Sequence, residues 1–415
     1  MVVVGPAAAT GDSTPSPHGP AKAPGLTAVH ARLRDAVGPR GYLGGVVLAI
    51  DDGRVVDVHA DGHADLARKR PMRRDAIFRV YSMTKPLASV AVLQLVESGR
   101  IGLDEPVARY LPEFAGLRVL AGGDVDAPML RAPARAPTIR HLLTHTAGFA
   151  AGRPGDAVAD ALLARADLHG ARDLAGFASR LATVPLAADP GTRFGYDGAA
   201  TEVLARVVEV VAGEPFDVRL RARVLAPLGM RDTGFSVPPS QRHRVVDITR
   251  MGDDGRLVLD EGVSARSPGV PLQHYPSAAG GLYSTAADYA RFCRMLLEGG
   301  TLDGVRVLRR RTVAMMLENQ LTMLDPPVHS FNAGEGFGFG GYVVRDAAHG
   351  GEPGAAGRFG WSGAASTMFA IDPATRRGVL LLLQHLPRED LPAGVHDLPR
   401  IAPAVRTTAF AAMAR

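Results

Sequence analysis

Apolar positions along "YLGGVVLAIDDGRVVDVHADG" (42–62) fall into two β-rich runs broken by Asp51-Asp52-Gly53, the pattern of a hairpin. A helix-like stretch, "TAVHARLRDAVG", precedes them, and "AIFRV" (76–80) follows as a further short strand. From Pro86 to Glu97 the chain is apolar on almost every side, which predicts a buried helix ending at Ser98 and Gly99. Up to about residue 325 helical patterns alternate with loops rich in Pro and Gly. In "TEVLARVVEVVAG", Val203, Leu204, Val207, Val208 and Val211 line one face and Gly213 stops the helix. In "STAADYARFCRMLLEGG", Tyr289, Phe292, Cys293, Leu296 and Leu297 share a face, with Thr285 and Asp288 at its start and Gly299 and Gly300 at its end. The runs "FGFGGYVVRD", "STMFAIDP" and "GVLLLLQHL" return to β character before a closing helix.

The order is β, helical, then β again. It predicts a sheet completed by both ends of the chain, with a mainly helical lobe inserted between them. The expected division is a sheet domain over 26–81 and 326–415, a helical domain over 82–325, and a site in the cleft between. Residues 1–25, rich in Pro, Ala, Gly and Ser, read as a disordered tail.

Composition narrows the class of partner. No apolar run approaches the ~20 residues that cross a bilayer. The N-terminal stretch also lacks the basic lead and apolar core of a secretory signal, so a soluble, cytoplasmic protein is expected. The net charge is +5, but the arginines are interspersed with acids except in "ARKRPMRR" (67–74) and "LRRRT" (308–312). Neither stretch has interleaved aromatics, so both read as solvated faces, with no nucleic acid expected. The single cysteine, Cys293, excludes an internal disulfide and sits on a core face.

The candidate chemistry lies in "YSMTKPLASV" (81–90). Lys85 is one of only three lysines, with Lys22 and Lys69, and it follows Ser82 by three residues. That spacing sets both side chains on one helix face, and Pro86 is tolerated in a first turn. A helix N-terminus favours negative charge developing at the serine, and a desolvated lysine can accept its proton where an arginine cannot. The motif alone is weak: fifteen serines and three lysines in 415 residues give about 0.1 chance matches. A capping serine and a snorkelling lysine would also satisfy it. A rival nucleophile, Ser362 in "GWSGA", is followed by Asp372 and His385 in triad order, but the chain continues as a strand where that motif needs a helix. His141 and His145 are four apart without a glutamate after His141 or an evident third ligand, so they read as hydrogen-bonding residues and no metal is implied.

The segment "YSMTKPLASVAVLQLVESGRIGLDEPVARYLPEF" resembles the active-site region of the serine β-lactamase and penicillin-binding-protein superfamily, especially its class C-like branch and the family VIII carboxylesterases. In order follow "TIRHLLTHTAGF" (138–149), "PGTRFGYDGAATEVLARVVEVVAG" (190–213), "AAGGLYSTAADYARFCRMLLEGG" (278–300) and "GRFGWSGAASTMFAIDP" (357–373), each similar to a segment of that family. The resemblance implies an α+β fold with an antiparallel sheet flanked by helices. It implies catalytic roles for Ser82, Lys85 and Tyr196, and an oxyanion hole from the backbone N–H groups of Ser82 and Ala364. Asp197 and Gly198 complete the Tyr-x-Asn motif, with Gly198 in place of asparagine. Trp361, Ser362 and Gly363 stand where lactamases carry Lys-Thr-Gly, close to the Trp-Gly-Gly of family VIII esterases. Loss of the asparagine amide and of the lysine argues against lactams and peptides and for neutral esters.

The implied activity is a serine carboxylesterase acting on short to medium acyl esters without a cofactor, its partner a small-molecule ester or acyl substrate. The alternative is an acyltransferase of the lovastatin type, passing the acyl group to an alcohol. Weaker alternatives are β-lactamase or D-amino peptidase activity and a non-catalytic binding homologue. No motif guides the loops over 115–185 and 235–275, so oligomeric state and natural substrate stay open.

Overall fold

Both faces of the strand Gly44–Asp51 (β1) are buried, and its alternation decides what each one meets. Val46, Leu48 and Ile50 enter one core, and Val47 and Ala49 enter another on the opposite face. Asp52 and Gly53 follow with φ of 43° and 69°, the left-handed pair that a two-residue hairpin turn requires. They return the chain antiparallel into β2 (Arg54–Gly62), with Asp51 opposite Arg54. The C-terminal part supplies β3 (Glu335–Phe337), β4 (Tyr342–Val344), β5 (Phe359–Gly363), β6 (Thr367–Asp372) and β7 (Arg377–Leu382). The seven strands lie in the order β3-β4-β5-β6-β7-β1-β2, every pair antiparallel. The two ends of the chain meet where Leu48 stands opposite Leu380.

This computed structural model describes residues 26–153, 155–324, 327–330, 334–346 and 355–414. The expected tail, 1–25, and the expected boundary at 325/326 lie outside the described residues.

Five helices position the site: α1 (Thr27–Ala36), α2 (Thr84–Glu97), α3 (Ala199–Ala212), α4 (Ala286–Leu297) and α5 (Ala402–Met413). Val29 and Leu33 of α1 and Val405, Ala409 and Phe410 of α5 cover the face that holds Val47, Ala49 and Leu381. On the other face α4, from within the 82–325 stretch, sets Tyr289 and Phe292 against Phe369 of β6, with ring centres 5.2 and 6.4 Å apart. Cys293 is buried on that same helix, and burial pushes its thiol well above the ordinary range, which makes it a core residue. The helix α2 is buried along nearly all its length, and α3 packs across it. The helix boundaries at Ser98 and Gly213 fall where the sequence places them, with Gly99 and Gly213 left-handed at φ of 71° and 75°.

The stretch read as helices and loops also holds three short ribbons, Val119–Gly123 with Pro128–Arg131, Thr249–Met251 with Leu257–Leu259 and Thr301–Leu302 with Val305–Arg306. Met129, Leu130 and Leu259 are exposed there, so no buried-exposed alternation marks the strands in the sequence. Among the described residues, no helix is long and apolar enough to cross a membrane.

Candidate active site

Ser82 sits where a short strand turns into α2. The strand Phe78–Arg79 is bracketed by Gln384, whose side chain accepts from Arg79 N (3.0 Å) and donates to Arg79 O (3.1 Å). The Arg79 guanidinium is fully buried over the Tyr283 ring and donates to Gly281 O (2.9 Å) and Val270 O (2.7 Å). Tyr81 then adopts a φ of 43°, a costly backbone for a bulky residue, which persists only where the surroundings over-determine it. Those surroundings include the Tyr289 hydroxyl, which donates to Met83 O at 2.8 Å. The turn Tyr81–Met83 runs directly into α2, and Pro86 occupies its first turn, where no backbone donor is missed.

Lys85 is 3% exposed, with Nζ 3.3 Å from Ser82 Oγ. The same Nζ donates to Ala279 O (2.8 Å) and lies 4.8 Å from the centre of the Tyr196 ring. Tyr196 arrives on the stretch 190–196, tied down where Gly191 N donates to Thr146 O and Gly195 N to His145 O, both at 2.8 Å. A Cβ on Gly191, which has a φ of 81°, would lie 2.9 Å from His141 Nε2. The Trp361 indole N–H donates to the Tyr196 hydroxyl at 3.1 Å, fixing the phenol from the sheet side.

The two histidines build this corner. His141 Nδ1 accepts from Thr138 N at 3.1 Å, and burial pulls its pKa down to about 4. His145 is buried with its ring 4.7 Å from that of Tyr196, its pKa is lowered by burial, and its Nδ1 accepts from Asp197 N at 3.4 Å. Both are neutral, hydrogen-bonded residues of the scaffold. Among the described residues, no group of three or more His, Cys, Asp or Glu is placed to hold a metal ion.

The strand β5 closes the other side. A Cβ on Gly363 would stand 2.3 Å from Val80 O and 2.4 Å from Thr367 Oγ1, so only glycine lets this strand lie against the turn that carries Ser82. Gly363→Ala is therefore expected to push β5 away from Ser82. The expected cost is about 1–3 kcal/mol of stability and on the order of a hundredfold in acylation rate. Thermal unfolding and single-turnover acylation check the two; a variant that keeps both values removes the steric argument.

Two chambers meet at Ser82 and Tyr196, which line both. One, of about 660 Å³, runs along β5 past Trp361, Ser362, Gly363 and Ala364 to Tyr342 and the start of α5. The other, of about 440 Å³, enters the helical lobe between Leu163, Leu168, Phe177 and Leu272, with Asp197 and Gly198 at its mouth. Asp197 faces this chamber, but its Oδ1 accepts from Ala200 N at 2.6 Å and caps α3. Gly198 has a φ of −83°, and a Cβ there would meet only Ala279 Cβ at 3.4 Å, so its missing side chain widens the mouth. The residues that sequence reasoning named from the Ser82, Tyr196 and Trp361 segments thus lie around one cleft. The rival triad does not form: His385 pairs with Asp397 at 2.7 Å, Asp372 faces Arg358, and β6 follows the turn after Ser362 where a nucleophile elbow needs a helix.

An antiparallel sheet carrying a helical lobe, with a serine, a buried lysine and a tyrosine at their junction, defines a class of serine hydrolases. The chain belongs to the Beta-lactamase family, whose model matches residues 29–399. It is 36% identical over 371 residues to Protein Rv1367c of Mycobacterium tuberculosis, an alignment covering 86% of this chain and 90% of that one. To Esterase EstB of Burkholderia gladioli it is 33% identical over 365 residues, covering 84% and 87%. Among solved structures it is similar to EstCE1, described as a hydrolase with promiscuous acyltransferase activity, with a TM-score of 0.74 and 27% identity over 94% of this chain and 98% of that one. The fold and family implied by the sequence motifs are borne out.

Two supporting groups escaped the sequence reading: Arg79, which ties the strand before Ser82 to the loop 270–281, and Glu202. Glu202 directly precedes the apolar stripe of α3 and sits seven residues before Glu209, a spacing that reads as a solvated acidic edge. Nothing in the pattern signals that its carboxylate is 1% exposed.

Proposed function

We propose that this protein is a carboxylesterase that forms an acyl-enzyme on Ser82. The observation that carries the reading is the buried Lys85 Nζ, 3.3 Å from Ser82 Oγ and beside the Tyr196 ring. Ser82 Oγ attacks the ester carbonyl carbon as its proton passes to the Lys85–Tyr196 pair. The N–H groups of Ser82 and Ala364 receive the carbonyl oxygen as it becomes an oxyanion. When the tetrahedral intermediate collapses, the same proton goes to the departing alkoxide, and the alcohol leaves. Water then repeats the sequence against the acyl-serine, giving the acid and restoring the serine hydroxyl. The scheme uses no cofactor.

The two chambers support this substrate class. The helical-lobe chamber is walled by Leu163, Leu168 and Phe177, which suits an uncharged acyl chain of short to medium length. Along β5, Trp361 offers an indole where a cation would bind a carboxylate, which supports neutral esters over lactams. The partner is thus a small-molecule ester. Acyl transfer is the second reading, favoured by the size of the β5 chamber, which has room for an acceptor alcohol, and by the activity described for EstCE1.

Turnover of p-nitrophenyl butyrate with and without an acceptor alcohol tests the proposal. The expected products are p-nitrophenol and free butyrate. A dominant butyrate ester of the acceptor moves the label to acyltransferase with the site intact, and absence of turnover with any ester defeats the reading.

A further inference from the structure

The carbonyl that holds Lys85 is itself held. Ala279 O belongs to the loop Ser277–Gly281, and this loop has little regular structure of its own. Glu202, from the first turn of α3, reaches under it and accepts from Ser277 Oγ (2.5 Å), Ala278 N (2.8 Å) and Ala279 N (3.4 Å). These contacts use both carboxylate oxygens on three consecutive residues, one of which presents its carbonyl to the lysine. Arg79 fastens the far end of the same loop through Gly281 O. A carboxylate 1% exposed is costly to bury, and a loop could be anchored by neutral groups instead. The charge therefore calls for its own explanation.

We propose that Glu202 is a positioning residue for Lys85: through Ser277–Ala279 it fixes the carbonyl that aims the lysine nitrogen at Ser82, and its charge compensates the proton that the lysine takes up. The inference rests on the esterase reading above and goes one layer beneath it. The groups facing Glu202 are few. Lys85 approaches from α2. Ser277 and Tyr275 come from the loop, where burial and the Glu202 charge push the Tyr275 phenol well above its ordinary range. His169 lies a step further, its Nδ1 3.3 Å from the Tyr275 hydroxyl. On α3 itself Arg206, one turn on, is paired with Glu209 at 3.1 Å. His145 and Asp197 belong to the neighbouring corner described above.

Burial raises the Glu202 carboxyl to about 7, against the opposing pull of Ser277, Ala278 and Lys85. Above about 7 the carboxylate is charged and supports the protonated lysine; as pH falls through about 7 it takes a proton and that support is lost. Acylation should therefore show an acid limb near neutrality that belongs to residue 202.

The test is pre-steady-state acylation by p-nitrophenyl butyrate across pH from about 5 to 9, in the wild type, Glu202→Gln and Ser277→Ala, with thermal unfolding measured alongside. Glu202→Gln is expected to lose on the order of tenfold to a hundredfold in acylation rate, to keep KM within about twofold, and to lose the acid limb near 7. Ser277→Ala keeps the charge but removes a hydrogen bond that lowers the carboxyl's pKa, so its acid limb should move to higher pH. A wild-type rate and limb in Glu202→Gln overturns the proposal. So does a slower Glu202→Gln whose limb is unmoved, which marks a structural loss alone. If Glu202→Gln does not fold, Ser277→Ala decides, and an unmoved limb there overturns the proposal. Failure of the esterase reading is seen separately, as ester turnover that survives Ser82→Ala.

Discussion

Ser82→Ala is expected to reduce turnover of a short-chain ester by at least ~10³-fold and to eliminate the burst of alcohol release. The Ser82 hydroxyl is the group that Lys85 Nζ faces at 3.3 Å, and it stands where both chambers meet. The methyl of alanine fills nearly the same space, so Arg79, Tyr81 and Gln384 keep their contacts and the fold should be unchanged. Backbone N–H donors remain, and a remnant of catalysis by binding and oxyanion stabilisation is expected to survive. Mass spectrometry of the wild type after brief exposure to the ester should show one acyl adduct on the peptide containing Ser82. An adduct on Ser362, or full turnover by Ser82→Ala, would move the nucleophile elsewhere.

The sequence pattern reaches some parts of this site and misses others for physical reasons. The strands β1, β6 and β7 are buried on both faces, so they read as continuous apolar runs, and Asp52-Gly53 could be placed because few residue pairs accept two left-handed backbones. The faces of α3 and α4 were legible because an apolar stripe at helical spacing runs along each. Ser82, Lys85 and Tyr196 were legible as candidates because the family resemblance rests on those residue types at those positions. The support beneath them was not. Arg79 looks like any strand arginine until the fold sets Gly281 O and Val270 O around its guanidinium, partners that lie 202 and 191 residues away in the chain. Gly363 is one of 48 glycines, and only the approach of Val80 O to within 2.3 Å of its absent Cβ shows that it could be nothing else. Asp197 has a second part that the motif does not signal: it lines the helical-lobe chamber, and its carboxylate also caps the helix that carries Glu202.

Lys85→Arg is the substitution that separates charge from proton transfer, and it is expected to be as inactive as Lys85→Ala, with a loss of ~10²–10⁴ in kcat. Only three of the chain's 47 basic side chains are lysine, so arginine is plainly the residue this protein uses where charge is enough. At position 85 the guanidinium would keep the positive charge and still reach Ala279 O. It would not give up a proton at any workable pH, and so could not accept one from Ser82. Its planar fork would also crowd a slot that is 3% exposed and bounded by Ser82 Oγ, the Ala279 carbonyl and the Tyr196 ring. The two effects can be told apart with Lys85→Ala, which relieves the crowding and removes the base. If lysine acts only as a fixed cation that polarises Tyr196, Lys85→Arg should retain activity well above Lys85→Ala. If it acts as the acceptor, both fall to the same floor, and the pH dependence left in the residual rate should no longer contain the contribution of Glu202, which acts through the lysine.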